Sequence, residues 1–219
     1  MSMRSGVKMA LISNAKGRSE DQTESGYERL FGHHELGVLI SRVQSAVISA
    51  GTELEEIIAN EIKNQDGVSI RKINKERRIF KEIKNNKDVQ VDCVIMRDNK
   101  IILIEIKDGD TFDTKKVDGE IKSLFAVRDY LVKCEKYKPE NIQIRYCSFN
   151  AASHEQIEVG AKHLLPAGVP MTGRELCEIL DIDYDGILQK RKKDQKANVH
   201  YFLEELDKIP DIHEKLRNF

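Results

Sequence analysis

Three charged residues interrupt an otherwise apolar part of the chain between Val89 and Lys107. The stretch reads VQVDCVIMRDNKIILIEIK, and outside its central RDNK turn the charged residues are Asp92, Glu105 and Lys107. Strands this apolar normally exclude charge, because a buried charge is costly unless it is paired. Folding alone does not require this arrangement, so these residue types indicate a chemical task.

The spacing of the three residues predicts that they share one face of a β-hairpin. If Asp98 and Asn99 form a two-residue loop, the flanking segments pair as antiparallel strands with Asp92 opposite Glu105. Side chains alternate across a strand, so Lys107 lies on the same face as Glu105. A β-bulge would shift these partners by one residue, which makes the register the point to check.

Two opposed carboxylates repel each other, and a bound divalent cation would relieve that repulsion. Carboxylate oxygens, completed by water and phosphate, are the usual ligands of Mg²⁺. Beside such an ion, Lys107 could orient or deprotonate a water or stabilise charge on a phosphate, with a pKa lowered by the cation and by burial. The alternative is a salt bridge from Lys107 to Glu105 or Asp92 at the end of the strand.

Asp92, twelve intervening residues and the run Glu105-Ile106-Lys107 resemble the PD-(D/E)xK nuclease superfamily. Its members include many type II restriction endonucleases, Holliday-junction resolvases and repair nucleases. Val91 stands where the family has Pro, a position that varies and carries no chemistry. The resemblance implies that Asp92 and Glu105 ligate Mg²⁺ with help from the Ile106 carbonyl, and that Lys107 serves the attacking water.

The resemblance covers about residues 51–150 and implies a fourth catalytic residue, Glu55. Many members carry a G-x-x-L-E pattern on the preceding helix, which Gly51, Leu54 and Glu55 match. This Glu would bind a second metal or a metal-bound water. Thr52 and Glu55 also read as a T-x-x-E capping box, which explains the Glu by helix initiation alone. Both interpretations stay open at the level of sequence.

Basic residues are concentrated in a few segments. Residues 71–87 hold eight Lys or Arg against two Glu, and QKRKKDQK at 189–196 is similarly biased, on a chain of net charge -1. Such stripes are compatible with a phosphate-facing groove, although solvated faces have the same composition. The residues predicted to contact DNA are Arg71, Lys72, Arg77, Arg78, Lys115, Lys116, Lys190, Arg191 and Lys192.

Length and composition indicate a globular protein that can bury a core. The chain has 219 residues, of which 33% are charged and 40% are hydrophobic. This composition is typical of globular proteins and differs from that of disordered or membrane-embedded proteins. No apolar run approaches the roughly 18 residues of a membrane-spanning helix, and the N-terminal apolar patch MALI is too short for a signal peptide. We therefore expect a cytoplasmic protein.

The four cysteines are scattered along the chain and form no CxxC pair. This spacing predicts neither a zinc site nor a disulfide framework. Three of the four have apolar neighbours and are predicted to be buried thiols. The cysteines are Cys93, Cys134, Cys147 and Cys177.

Hydrophobic periodicity predicts a mixed α/β fold with helices on both faces of a sheet, and the resemblance implies a restriction-endonuclease-like mixed sheet. The predicted helices are 36–62, which is one long helix or two in succession with an interruption or kink near Gly51, and 120–133 and 154–165. The predicted strands are a weak one within 68–84 and strong ones at 89–96, 101–106 and 141–149. The predicted regions are an N-terminal arm or irregular lead-in at 1–35, a catalytic core at 36–165 and a helical C-terminal region at 166–219.

The C-terminal region is predicted to contain two helices. Thr172 and Glu175 form a T-x-x-E capping box, and YFLEELDKI is an amphipathic segment that Pro210 is expected to end.

A helix-turn-helix over residues 172–191 is one interpretation of this region. Cys177, Ile182 and Ile187 occupy its small, turn and anchor positions, and Asp181 stands where a turn Gly is usual. Two amphipathic helices that pack on the core would leave the same pattern.

The function expected from these features is Mg²⁺-dependent cleavage of double-stranded DNA by a type II restriction endonuclease that acts as a homodimer on a palindromic site. A Holliday-junction resolvase or repair nuclease would share every catalytic residue. A non-catalytic DNA-binding module on the same fold is the alternative of a different class.

Overall fold

The computed structural model describes residues 11–16, 25–62, 66–70, 79–81, 83, 88–109 and 112–217. The helices among them are α1 Gly26–Phe31, α2 His34–Glu61, α3 Thr114–Lys133, α4 His154–Gly160, α5 Gly173–Leu180, α6 Tyr184–Asp207 and α7 Pro210–Arg217. The strands are β1 Val68–Ile70, β2 Ile79–Lys81, β3 Asp88–Gln90, β4 Cys93–Arg97, β5 Lys100–Lys107, β6 Ile142–Ser148 and β7 Pro170–Thr172. Single 3-10 turns lie at Ile12–Asn14 and Pro139–Asn141.

Contacts between residues divide the chain into two units. One consists of Met1–Glu53 together with Asp185–Phe219, and the other of Leu54–Tyr184. The first unit contains a helix, α1, within the region predicted as an arm. The second contains the sheet, so the predicted catalytic hairpin belongs to it.

The main sheet has five strands in the order β1-β4-β5-β6-β7. The β1–β4 and β4–β5 pairs are antiparallel, and the β5–β6 and β6–β7 pairs are parallel. Because parallel neighbours need a crossover connection, α3 lies between β5 and β6 in the chain. This mixed sheet with helices is the predicted fold class, compatible with a restriction-endonuclease-like fold.

The β4–β5 hairpin forms in the predicted register. Arg97 pairs with Lys100, and Cys93 pairs with Ile104. The loop residues Asp98 and Asn99 have φ angles of 49° and 62°, which are the two positive values that a tight hairpin loop of this kind requires.

The strand predicted over residues 89–96 is in fact two strands. Asp88–Gln90 pairs with β2 in a separate two-stranded sheet, and β4 begins only at Cys93. Asp92 lies at the bend between them. Val89 and Val91 continue the apolar run before Cys93, so the sequence pattern does not reveal this break.

One face of the sheet packs against α3. Its core includes Val94 of β4, Leu103 of β5 and Ile144 of β6, together with Val117 and Leu124 of α3. Residues at every second position of each strand contribute to this face. Asp92, Glu105 and Tyr146 have the same alternation and therefore lie on this face as well.

The opposite face of the sheet is also covered by a helix, as the fold class predicts. Helix α5 contacts β6 and β7. Burial raises the pKa of the Cys147 thiol on β6, and the nearby Cys177 of α5 and Cys93 of β4 add to the effect. These three cysteines are buried and free, as predicted, and Cys134 is exposed and free.

Three predicted helix boundaries are corrected by the structure. Helix α2 runs without interruption through Gly51, which tertiary packing tolerates inside a helix. Helix α4 ends at Gly160 rather than at residue 165. Pro210 begins α7 instead of only ending the preceding helix, because Pro fits the first turn, where an N–H has no helical acceptor.

Helix α5 begins as predicted, with a complete capping box. The Thr172 hydroxyl accepts a hydrogen bond from the Glu175 N–H, and the Glu175 carboxylate accepts one from the Thr172 N–H. The helix ends at Asp181, which has a φ of 53°. Asp is one of the few residues other than Gly that adopts this conformation, so the missing turn Gly does not prevent the turn.

Among the residues that the structure describes, no helix combines the length and apolar character needed to cross a membrane.

Candidate active site

The candidate site lies on the α3 face of the sheet, where β4 stops pairing with β5. The last β4–β5 pair is Cys93 with Ile104, so the next position along both strands places Asp92 beside Glu105. On the other side of β5, Glu105 pairs with Tyr146 of β6. Three polar side chains therefore follow one another across three neighbouring strands at one end of the hairpin.

Asp92 is held in this position by the backbone of β5. Its Oδ2 accepts a hydrogen bond of 3.0 Å from the Ile106 N–H, and only 5% of the residue is exposed. The N–H and C=O of one strand residue point to the same side. The Ile106 carbonyl is therefore expected on the side of Asp92, and its role as a metal ligand stays a prediction.

Glu105 is a buried carboxyl group in a site of like charge. Burial raises its pKa to about 8, and the neighbouring charge of Asp92 adds to the shift, although Lys107 opposes it. The charge of Asp92 therefore acts on Glu105 in the direction expected for two neighbouring carboxylates. A bound cation would favour the ionised form of both groups.

The Lys107 ammonium lies between two carboxylates. Its Nζ is 2.7 Å from Glu105 Oε1 and 2.6 Å from Glu120 Oε1. Burial lowers the pKa of Lys107, but the charges and hydrogen bonds of Glu105 and Glu120 outweigh burial and raise it. The lowering expected beside a metal ion stays a prediction. The salt bridge to Glu105 considered above is therefore present, and a second acidic partner accompanies it.

Glu120 is the residue at this site that the sequence interpretation missed. The predicted helix began at Glu120, where an acidic residue in the first turn needs no further explanation. Helix α3 instead begins at Thr114, with Asp113 as its cap. Glu120 therefore lies in the second turn, three residues after the buried Val117 and four before the buried Leu124. A charged residue within the apolar stripe of a helix is the signal that could have identified it.

The second oxygen of Glu120 contacts Tyr146. The Tyr146 hydroxyl donates a hydrogen bond of 3.0 Å to Glu120 Oε2. Burial and the charge of Glu120 raise the pKa of Tyr146 far above its usual value, so its hydroxyl remains a donor.

The oxygen donors at this site fit a hard divalent cation. They are the carboxylates of Asp92 and Glu105 and the carbonyl of Ile106, and hard cations prefer oxygen ligands. Within the part of the chain that the structure describes, no group of three or more His, Cys, Asp or Glu side chains is arranged to hold a metal ion. Any ion here would therefore depend on the backbone carbonyl, water and substrate for its remaining ligands.

Glu55 is a buried residue in the interior of α2, with 9% of its surface exposed. Because α2 extends from His34 to Glu61, Thr52 is an interior residue and not a helix cap. The capping-box explanation of Glu55 is therefore wrong. The catalytic role that the resemblance implies for Glu55 stays a prediction.

The residues predicted to contact DNA fall into three groups. Arg71, Lys72, Arg77 and Arg78 lie outside the described residues. Lys115 and Lys116 are exposed and belong to the first turn of α3, not to the loop before it. On α6, Lys190 and Lys192 are exposed and Arg191 is half-buried.

Comparison with known proteins identifies the family. No protein-family model matches the chain. The chain is similar to the type II restriction enzyme HhaII of Haemophilus parahaemolyticus, with 33% identity over 240 aligned residues that cover 95% of this chain and 99% of the relative. The chain therefore belongs to the family of type II restriction enzymes.

Proposed function

We propose that this protein is a site-specific endonuclease of the PD-(D/E)xK superfamily that hydrolyses phosphodiester bonds of double-stranded DNA with Mg²⁺. The observation that carries the proposal is the convergence of Asp92, Glu105 and Lys107 on one face, where the β4–β5 pairing ends. The similarity to a type II restriction enzyme supports the same reaction class.

Each of these residues has a role that its position suggests. Asp92, Glu105 and the carbonyl of Ile106 would hold Mg²⁺, which when bound neutralises negative charge on the phosphate and activates water. Lys107 would orient or deprotonate the attacking water, or stabilise negative charge on the phosphate. Glu55 would contribute a further carboxylate.

The protein is proposed to act on duplex DNA as a homodimer. A two-fold symmetric dimer matches a palindromic site, because each copy then cuts one strand in an equivalent place. The exposed Lys115, Lys116, Lys190 and Lys192 would contact phosphates, which fix the position of a protein on DNA without reading its sequence. Sedimentation of the purified chain, alone and with duplex DNA, would determine the number of copies.

Cleavage of plasmid DNA tests the proposed activity. We expect the wild-type protein to produce discrete fragments with Mg²⁺ and none with a chelator. Asp92→Asn and Lys107→Ala should each lower the cleavage rate by at least about 10²-fold. Lys122→Ala is the matched control, because Lys122 is exposed and pairs with Asp118 on the outer side of α3.

The same assay separates the alternatives. Cleavage of branched DNA without cleavage of linear duplex would identify a resolvase instead of a restriction enzyme. DNA binding without metal-dependent cleavage of any DNA substrate would contradict the proposed activity and favour a non-catalytic binding module.

A further inference from the structure

We propose that Glu120, braced by Tyr146, is a positioning residue that fixes the ammonium group of Lys107 in the cleavage reaction. The proposal rests on the nuclease function proposed above. It concerns a residue outside the Asp-Glu-Lys pattern, on α3, a different element from the hairpin.

Two carboxylates hold the ammonium group of Lys107. A lysine ammonium has three N–H donors, and two of them point to Glu105 Oε1 and Glu120 Oε1 at 2.7 and 2.6 Å. With two directions fixed, the tetrahedral geometry of nitrogen fixes the third. Glu120 therefore determines where the remaining N–H of Lys107 points.

Glu105 is unsuited to hold Lys107 alone. Glu105 is also the carboxylate proposed to bind Mg²⁺, so its oxygens are shared between two cations. A long, flexible lysine side chain with a single shared anchor would lose its orientation readily. Glu120 provides a second anchor, whose two carboxylate oxygens accept hydrogen bonds from the Lys107 ammonium and the Tyr146 hydroxyl.

Glu120 is itself held in place by Tyr146. Its Oε2 accepts a hydrogen bond of 3.0 Å from the Tyr146 hydroxyl. Tyr146 is 0% exposed, and its ring packs against Phe112 with the two centroids 5.3 Å apart. Since Tyr146 pairs with Glu105 across the sheet, the same strand supports both anchors of Lys107.

Kinetics of DNA cleavage give the first test. In single-turnover assays on a DNA fragment that the wild-type protein cuts, Glu120→Gln should reduce the cleavage rate by about 10²-fold. Binding of the same fragment in the presence of a chelator should change less than about twofold. Glu120→Asp should restore part of the rate but not all of it, and Tyr146→Phe should lower the wild-type rate measurably, by less than about tenfold. A wild-type rate in Glu120→Gln would contradict the proposal.

A double variant distinguishes positioning from an independent role. If Glu120 acts through Lys107, then Lys107→Ala combined with Glu120→Gln should cleave no more slowly than Lys107→Ala alone. Losses that multiply would overturn the proposal, because Glu120 would then act on the fold or the substrate by a separate route. Asp118→Asn, the same change of charge on an exposed residue of α3, is the control and should cleave at the wild-type rate.

A spectroscopic measurement does not depend on cleavage. In ¹⁵N spectra of lysine ammonium groups, the Lys107 signal, assigned by its loss in Lys107→Ala, should be sharp in the wild type and in Asp118→Asn. It should broaden or disappear in Glu120→Gln, because one of the two carboxylates that hold the ammonium is gone. An unchanged signal would overturn the proposed positioning even if the protein cuts DNA.

These measurements separate the two proposals. If the wild-type protein cuts no DNA but the Lys107 signal depends on Glu120, the nuclease function fails and the positioning contact stands. If Glu120→Gln does not fold, Glu120→Asp and Tyr146→Phe take its place in both assays. Wild-type rates and signals in both of these variants would contradict the proposal.

Discussion

At the scale of single residues, the site combines groups that folding alone would separate. Asp92 and Glu105 are acidic neighbours in a buried place, and the pKa of Glu105 is raised to about 8 by burial and then by the charge of Asp92. Such a pair destabilises the empty site. Its presence is understandable if a bound cation supplies the missing positive charge, which is the chemistry we propose.

Glu55 offers a prediction at this scale. Glu55→Gln should lower DNA cleavage by more than about tenfold, because the position supplies a buried carboxylate and not a helix cap. Thr52→Ala should leave the free energy of unfolding unchanged within about 0.5 kcal/mol, measured in urea, since Thr52 is an exposed interior residue of α2.

Glu61→Gln, at an exposed position near the end of α2, is the matched control for the loss of charge. Full cleavage activity in Glu55→Gln would show that Glu55 has no catalytic role. A loss of about 1 kcal/mol in Thr52→Ala would restore the capping explanation.

At the scale of elements, the β4–β5 hairpin is the part that positions the chemistry. Its register brings Asp92 beside Glu105, and a shift of one residue would move the charges to opposite faces. The register depends on a loop in which Asp98 and Asn99 both have positive φ. The site therefore depends on two residues that do not belong to it.

Substitution of Asn99 tests this dependence. Asn99→Val should reduce the free energy of unfolding by about 1–2 kcal/mol, because a β-branched residue is strained at a φ of 62°. Asn99→Gly should fold at least as stably as the wild type, since Asp-Gly is a preferred hairpin loop. Urea unfolding measures both changes, and equal stability of the Val and Gly variants would be evidence against the strained loop.

The capping box of α5 gives a prediction on pH. The pKa of Glu175 is lowered: burial opposes the shift, but hydrogen bonds from Thr172 and His154 outweigh it. A lowered carboxyl pKa contributes stability above the unfolded value of 4.5, and that stability is lost as the pH falls through the folded value. The decrease in unfolding free energy between pH 5 and pH 3 should therefore be smaller in Glu175→Gln, on the order of tenths of a kcal/mol.

Urea titrations at several pH values would measure this difference. Glu178→Gln, on the same helix and without a role in the capping box, is the control and should retain the wild-type slope. An identical slope for wild type and Glu175→Gln would rule out a contribution of Glu175 to the pH dependence.

At the scale of the whole molecule, charge is distributed so that a nearly neutral chain carries strongly basic segments. The segment QKRKKDQK lies within α6, in the unit of Met1–Glu53 and Asp185–Phe219, whereas Asp92, Glu105 and Lys107 lie in the unit of Leu54–Tyr184. Binding and cleavage are therefore expected to be separable by mutation.

The salt dependence of DNA binding tests this separation. The double substitution of Lys190 and Lys192 by Ala should weaken binding and reduce the slope of log affinity against log salt concentration by about 2, if each lysine contacts one phosphate. The same substitutions of Lys122 and Lys133, which are exposed but paired with acidic residues of α3, should change the slope less. An unchanged slope in the Lys190 and Lys192 variant would contradict DNA contact by α6.

The sequence by itself determined the fold class, the hairpin and the three residues at its end. Two apolar runs separated by Asp98-Asn99 predict a two-residue hairpin, and alternation of side chains along each strand then determines which of them share a face. The capping box of α5 likewise depends only on neighbouring residues, since Thr172 and Glu175 are three residues apart. Interactions of this kind are encoded within a few neighbouring residues.

Only the tertiary structure decided the features that depend on distant parts of the chain. Glu120 reaches Lys107 because α3 begins at Thr114 and packs on β5 and β6, a placement that no short segment specifies. Helix α2 continues through Gly51 and so removes the cap at Thr52, because packing outweighs the local propensity of Gly. The sequence therefore determined which residues we propose to carry the chemistry, and long-range packing decided which further residues contact them.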